Sequence, residues 1–285
     1  MSGLFGRRRE NLVIENWRFT ANSVIWRVVI SDDGYFVCED RDKDSKSVSF
    51  SCVERMTGKV MWRDLRLSEP WWTGVEAVHK NYVFFHEYAT PDMPDHKKIQ
   101  AHSLLTGERI WQNDNEKFLF AANESVFTVR ELFERRVFSQ LDLATGAYKG
   151  ELQPEFLDSL RSTVLPLEVT AAFPAIVDPL RMNDPRMKRV IEKATVKAKN
   201  VILVELLRSD FYNVIGFYDN RSQDSDHPDV NQYVAIIDSR SETISYFDTI
   251  SIGVSAPIPD TFFSVENHIY LVKDKKILTS LELIK

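Results

Sequence analysis

Two stretches of the chain decide its fold, FSCVERMTGKVMW at positions 50–62 and IQAHSLLTGERIW at 99–111. Each begins with apolar residues alternating with polar ones, the period-two pattern of a strand with one buried face. A polar turn centred on Thr-Gly follows, and then a second apolar strand that ends in Trp. The glycine supplies the positive φ that a tight hairpin needs. FSQLDLATGAYKG (138–150) repeats the pattern with Gly150 where the Trp stands in the first two, and VAIIDSRSETISY (234–246) repeats it with Ser241-Glu242 in the turn. Gly58 and Gly107 are 49 residues apart, and Gly107 and Gly146 are 39 apart. Strand-only units recurring at about 40–50 residues are the signature of four-stranded propeller blades.

The spacing places blades near 20–67, 71–114, 116–152, 200–250 and 260–285. The last unit is one strand short, and the N-terminal segment 11–19, NLVIENWRF, supplies an apolar strand that would complete it. The expectation is therefore an all-β chain, one β-propeller domain over 1–285 with five blades, closed by the pairing of 11–19 with the C-terminal blade. Such closure removes free sheet edges. Residues 153–199 read as a partly helical insertion or a degenerate sixth blade. Within it, Asp184 as cap, Pro185 at the first position and Met187, Val190, Ile191 and Ala194 at helical spacing predict a helix over 185–198. Ten glycines are few for so many turns, and a β-sandwich or a set of meanders is the alternative.

Strand, Thr57-Gly58-Lys59 and Trp62, then Thr106-Gly107-Glu108 and Trp111, resemble the repeat of quinoprotein-like and WD40-like propellers. The resemblance implies that both tryptophans pack between neighbouring blades. It implies no quinone, because the repeat is a docking element and fold does not carry function. Glu39-Asp40-Arg41-Asp42, Glu69-Pro70-Trp71-Trp72 and the His86…Pro91…Pro94…His96 run further resemble an uncharacterised bacterial propeller family, a domain of unknown function that brings no activity with it.

The formal net charge of -6 argues against a general nucleic-acid binder. The N-terminus, with Arg7, Arg8 and Arg9 followed by Glu10, has no apolar stretch of a secretory signal, and no run of about 18 apolar residues suggests a membrane span. With two cysteines, Cys38 and Cys52, read as free buried thiols, the chain is expected in the cytoplasm, as a monomer. No phosphate-binding loop, dinucleotide fingerprint or nucleophile elbow occurs, and no cofactor or metal is expected.

Candidate site residues concentrate in 69–102. Trp71 and Trp72 read as strand neighbours on opposite faces, one in the core and one on a rim. Glu39 and Arg41 share a strand face and pair, either as an ion pair or as a site beside Glu69 and His86. Tyr88 and His96 complete the set. His86, Glu87, Asp92, Asp95, His96 and His102 include metal-ligand types, but Thr90 stands where a zincin would carry its second His. The basic run Arg186, Lys188, Arg189, Lys193, Lys197, Lys199 reads as a solvated helix face, and Asp224, Asp226, His227 and Asp229 as an exposed turn. Two functions stay open. One is a non-enzymatic module binding an unknown protein or a small, polar, hydroxyl-rich or cationic ligand. The other is a hydrolase or lyase acting on a carbohydrate-like ligand through carboxylates and His86.

Overall fold

The structure is a computed structural model and describes residues 12–90, 93–164, 171–224 and 228–284. Arg7–Arg9, Pro91, Asp92, Asp226 and His227, singled out above, lie outside the described residues.

The strands are, in chain order, β1 (Leu12–Thr20), β2 (Val24–Ile30), β3 (Tyr35–Asp42), β4 (Ser47–Glu54), β5 (Val60–Leu65), β6 (Thr73–His79), β7 (Tyr82–Thr90), β8 (Met93–Ser103), β9 (Arg109–Asn113), β10 (Lys117–Ala122), β11 (Ser125–Glu131), β12 (Arg136–Asp142) and β13 (Tyr148–Leu152). Helix α1 (Pro154–Val164) follows, then β14 (Ala171–Ala172), β15 (Ala175–Val177), helix α2 (Pro185–Thr195), β16 (Val201–Arg208), β17 (Tyr212–Asn220), β18 (Val230–Asp238), β19 (Ile244–Val254), β20 (Phe262–Val265), β21 (His268–Lys273) and β22 (Ile277–Ile284). They form five antiparallel sheets, and the chain divides into two compact units.

The unit Ala21–Val169 holds three four-stranded meanders, β2-β3-β4-β5, β6-β7-β8-β9 and β10-β11-β12-β13. Its core joins adjacent sheets. Val37, Phe50 and Cys52 pack with Val75, Val83 and Phe85, while Phe84 and Ile99 pack with Val126 and Leu141. The Thr-Gly turn explains the repeat. The residue ending the third strand closes the turn with its side chain. Glu54 accepts from the amides of Met56 and Thr57, Ser103 from Thr106, and Asp142 from Ala144 and Thr145. The following glycine, at φ +71, +74 and +68 for Gly58, Gly107 and Gly146, returns its amide to the carbonyl of that same residue at 2.8–2.9 Å.

The fourth strand then presents its Trp to the next sheet's turn. The Trp62 indole N–H donates to the Leu104 carbonyl at 2.8 Å, and that of Trp111 to the Leu143 carbonyl at 2.9 Å. A Cβ on Gly107 would stand 3.1 Å from the Trp62 ring, and one on Gly146 2.7 Å from the Trp111 ring. The glycine is thus needed twice, for its φ and for the flat face it offers the indole. Trp111 is 8% exposed, whereas Trp62 is only half-buried. Cys38 lies opposite Ser51 while Cys52 lies opposite Val37, so the two thiols point to opposite sheet faces and both are free.

The unit Met1–Thr20 with Thr170–Lys285 holds β1-β22-β21-β20-β14 and β15-β16-β17-β18-β19. Strand β1 pairs antiparallel with β22 from Leu12 opposite Ile284 to Thr20 opposite Ile277. Asp238 closes the turn of the fourth repeat, accepting from the amides of Arg240 and Ser241, and Glu242 takes the left-handed position at φ +55. Helix α2 starts as read, with Asp184 accepting from Arg186 and Met187 amides, and Met187, Val190, Ile191 and Ala194 buried, but it ends at Thr195 rather than 198. Its basic face meets Glu242, which lies within 4 Å of Arg186, Arg189 and Lys193. Residues 153–199 are not a plain insertion. They contribute α1, which the sequence reading did not foresee, and β14 and β15 as edge strands paired with β20 and β16. Among the described residues no helix is long and apolar enough to cross a membrane.

Candidate functional site

The residues singled out in 39–41, 69–72 and 86–96 converge in the unit Ala21–Val169, at the ends of β3, β6, β7 and β8. Buried Arg41 is the hub. Its Nε donates to Glu39 Oε1 at 2.7 Å, Nη1 to the Trp71 carbonyl at 3.0 Å and Nη2 to the Thr73 carbonyl at 2.5 Å. The pair is therefore not bidentate, because the fork also holds the chain entering β6. The second Glu39 oxygen accepts the Val75 amide at 3.0 Å. Both ions are at least nine-tenths buried and fully engaged, as buried charges must be.

Trp71 and Trp72 are not strand neighbours. They lie in a bend before β6, where Pro70 has no amide hydrogen and Glu69 Oε1 accepts the amides of both tryptophans at 3.1 and 3.0 Å. Glu69 is thus a turn-closing group. The Trp71 ring packs on the core and carries Arg41 at 5.3 Å and Lys46 at 5.0 Å from its centroid. Trp72 stands edge-on to Trp71 and to Tyr88 and is 38% exposed. Trp26, which the sequence reading passed over, sits opposite, 62% exposed, with Arg41 6.0 Å from its ring centroid. Val24, Trp26, Arg41, Lys43, Trp71, Trp72 and Tyr88 line a pocket of about 220 Å³. Its charged lining residues are Arg41 and Lys43. The acids expected there, Glu39 and Glu69, are turned to internal partners.

Tyr88 also contacts a second cluster. Glu76 Oε2 is 2.7 Å from His86 Nδ1 and 2.8 Å from His96 Nδ1. The imidazoles stack face to face, with centroids 3.5 Å apart and planes 8° apart, and Tyr88 sets its edge against both at 5.0 and 5.2 Å. Burial alone would raise the Glu76 carboxyl, but the two imidazoles outweigh it and hold the group down at about 2, while burial pushes the His86 imidazole down. Gly74, opposite His86 in the β6–β7 ladder, makes room for this ring. A Cβ there would lie 3.1 Å from His86 Cε1 and 3.2 Å from Glu39 Oε2. His102 is elsewhere, bonded through Nδ1 to the Gly107 carbonyl, and Asp95 pairs with Lys117.

The structure thus gathers all eight sequence-marked residues, Glu39, Arg41, Glu69, Trp71, Trp72, His86, Tyr88 and His96, and adds Trp26, Lys43 and Glu76. Trp26 and Glu76 share a signal. Each is the extra residue of a β-bulge where the first strand of its sheet meets the second, as is Leu119, and Ile202 is the extra residue of a bulge where β16 meets β17. Bulges re-aim side chains, and among these four only position 76 carries an ionisable group.

Residues 29–111 match the family described as "Domain of unknown function (DUF4905)". No curated protein matches the chain. Among solved structures it is similar to a member of the DUF4221 family from Bacteroides vulgatus, at 9% identity and TM-score 0.31 over 96% of each chain. Kluyveromyces lactis Hsv2 matches at 9% identity and TM-score 0.29, over 93% of this chain and 76% of that one. Prolyl oligopeptidase B from Galerina marginata matches at 14% identity and TM-score 0.30, over 89% of this chain and 30% of that one. At these levels the likenesses assign neither activity nor ligand.

Proposed function

We propose that the chain is a non-enzymatic ligand-binding module of the β-propeller type, each of its five sheets being one blade, and that its ligand seats on Trp26, Trp72 and Tyr88. The blade reading is supported sheet by sheet, by the up-and-down meanders, the Thr-Gly turn that receives a Trp from the preceding sheet, and the completion of the last sheet by β1. The observation that carries the binding reading is the exposure of two indoles, 62% at Trp26 and 38% at Trp72, around one pocket. Isolated exposed apolar residues are ordinary, but tryptophans gathered around a cavity offer flat faces that stack on a ring.

The pocket's charge selects the ligand class. Glu39 meets the charge of Arg41, which leaves Lys43 in the lining and Lys46 over Trp71 as the cations a ligand would face, so a cation would meet repulsion. A sugar ring carrying a carboxylate fits better. Its apolar face stacks on indole and its acid finds Lys43. The hydrolase reading gains nothing here, because Glu39 and Glu69 are held by Arg41 and by backbone amides. Titration calorimetry with glucuronate and with methyl glucoside tests the proposal. Glucuronate is expected to bind more tightly than methyl glucoside, and Trp72→Ala and Trp26→Ala each to weaken it at least about tenfold, the loss of an anchor worth about 1.4 kcal/mol. Equal binding by both variants and the unaltered chain would overturn it.

A further inference from the structure

We propose that Glu76, His86 and His96 form a binding site for one divalent transition-metal ion of the zinc class. The three residues come from three consecutive strands of one sheet, β6, β7 and β8. Gly74 lies opposite His86, so alternation along β6 puts Glu76 on the His86 face, and the bulge between Val75 and Ala77 leaves Glu76 without a partner residue across the ladder. Across that hairpin Tyr88 pairs with His96, which brings His96 up to His86. The candidate donor atoms, one from each residue, all lie within 4.8 Å of one another.

A second observation points to a ligand. The His86 side chain is 4% exposed, and neither of its ring nitrogens has a hydrogen-bond partner. Its Nδ1 stands 2.7 Å from Glu76 Oε2, an ionic approach that does not meet the geometry of a hydrogen bond. Buried imidazoles are normally satisfied at one nitrogen at least. A metal ion that took the Nδ1 lone pair would remove this deficit. Two imidazoles and one carboxylate suit zinc and its neighbours, and leave a coordination position for water or a ligand. Calcium and magnesium prefer all-oxygen shells and are disfavoured. Stacked, parallel imidazoles cannot both aim in-plane lone pairs at one ion, so capture must splay the rings. His96 is the ring able to turn, since its side chain is 32% exposed and lines an open pocket with Lys117, Phe118 and Phe138.

The test is a titration of the full chain, stripped with a chelator, with Zn²⁺ followed by calorimetry and with Co²⁺ followed by its visible absorption. One equivalent of Zn²⁺ per chain is expected, with cobalt bands of the intensity of a four- or five-coordinate site. His96→Ala changes a partly exposed residue and is expected to fold, as melting will check. It should weaken Zn²⁺ binding at least tenfold, as should Glu76→Gln. His79→Ala, which removes a histidine outside the cluster, should leave it unchanged. Absence of stoichiometric Zn²⁺ binding by the unaltered chain would overturn the proposal and leave the cluster a structural network. So would equal affinity of the His96→Ala and unaltered chains, or a preference for Mg²⁺ or Ca²⁺ over Zn²⁺. None of these results bears on glucuronate binding at the tryptophans.

Discussion

Replacing Trp111 by alanine removes the ring that joins the second sheet to the Thr-Gly turn of the third. The indole is 8% exposed and lies against Gly146, and its N–H is bonded to the Leu143 carbonyl at 2.9 Å. Truncating a buried Trp to Ala costs about 3–5 kcal/mol when the cavity does not collapse. The carbonyl left without its donor adds about 1–2 kcal/mol if water does not reach it. Trp111→Ala should therefore sit at the upper end, about 4–5 kcal/mol. Trp111→Phe keeps much of the packing and loses the bond, so about 1–2 kcal/mol is expected. Trp62 makes the same bond to Leu104 but is half-buried, and Trp62→Ala should cost about half as much as Trp111→Ala, roughly 2 kcal/mol. Urea melts followed by circular dichroism give the order. A cost below about 1 kcal/mol for Trp111→Ala, or a larger one for Trp62→Ala, would refute the inter-sheet role of this ring.

Arg41→Met leaves Glu39 buried without its cation and takes the donors from the Trp71 and Thr73 carbonyls, so a loss of about 3–5 kcal/mol is expected in the same melts; a loss under about 1 kcal/mol would mean that Arg41 is free for a ligand. Glu205, buried against the Tyr218 hydroxyl at 2.8 Å, has its carboxyl pushed up by burial. An acid raised on folding binds its proton more tightly in the folded state, so it favours folding below its unfolded value and that contribution is lost as pH rises through the folded one. Glu205→Gln should then raise the melting temperature at pH 7–8 relative to the unaltered chain, with the gain shrinking toward pH 4; a gain independent of pH would contradict the assignment.

The turns were legible because their chemistry is local. Glu54, Ser103, Asp142 and Asp238 each close their own turn three residues on, so the repeat survives in sequence even where Glu242 replaces glycine. The cap and apolar spacing of α2 were local too. Helix α1 was hidden because its stretch is crowded with prolines, although Pro154 suits a first helical position. The aromatic residues stand out in the sequence as a group, but the strand pattern extends over Trp71 and Trp72 because nothing in the sequence says that Glu69 takes their amides. Glu76 escaped altogether. It reaches His86 only because Gly74 of β6 pairs with His86 of β7, and His86 meets His96 only because Tyr88 pairs with His96, and both are ladder registers that no local pattern records.

The measurement that tests the binding account most directly is a ¹⁵N-edited spectrum of the six indole N–H groups during titration with glucuronate. The account predicts that the signals of Trp26, Trp71 and Trp72 move together along one saturable curve while those of Trp17, Trp62 and Trp111 stay fixed. Glucuronate leaving all six unmoved, or shifting Trp17, Trp62 and Trp111 instead, would contradict it.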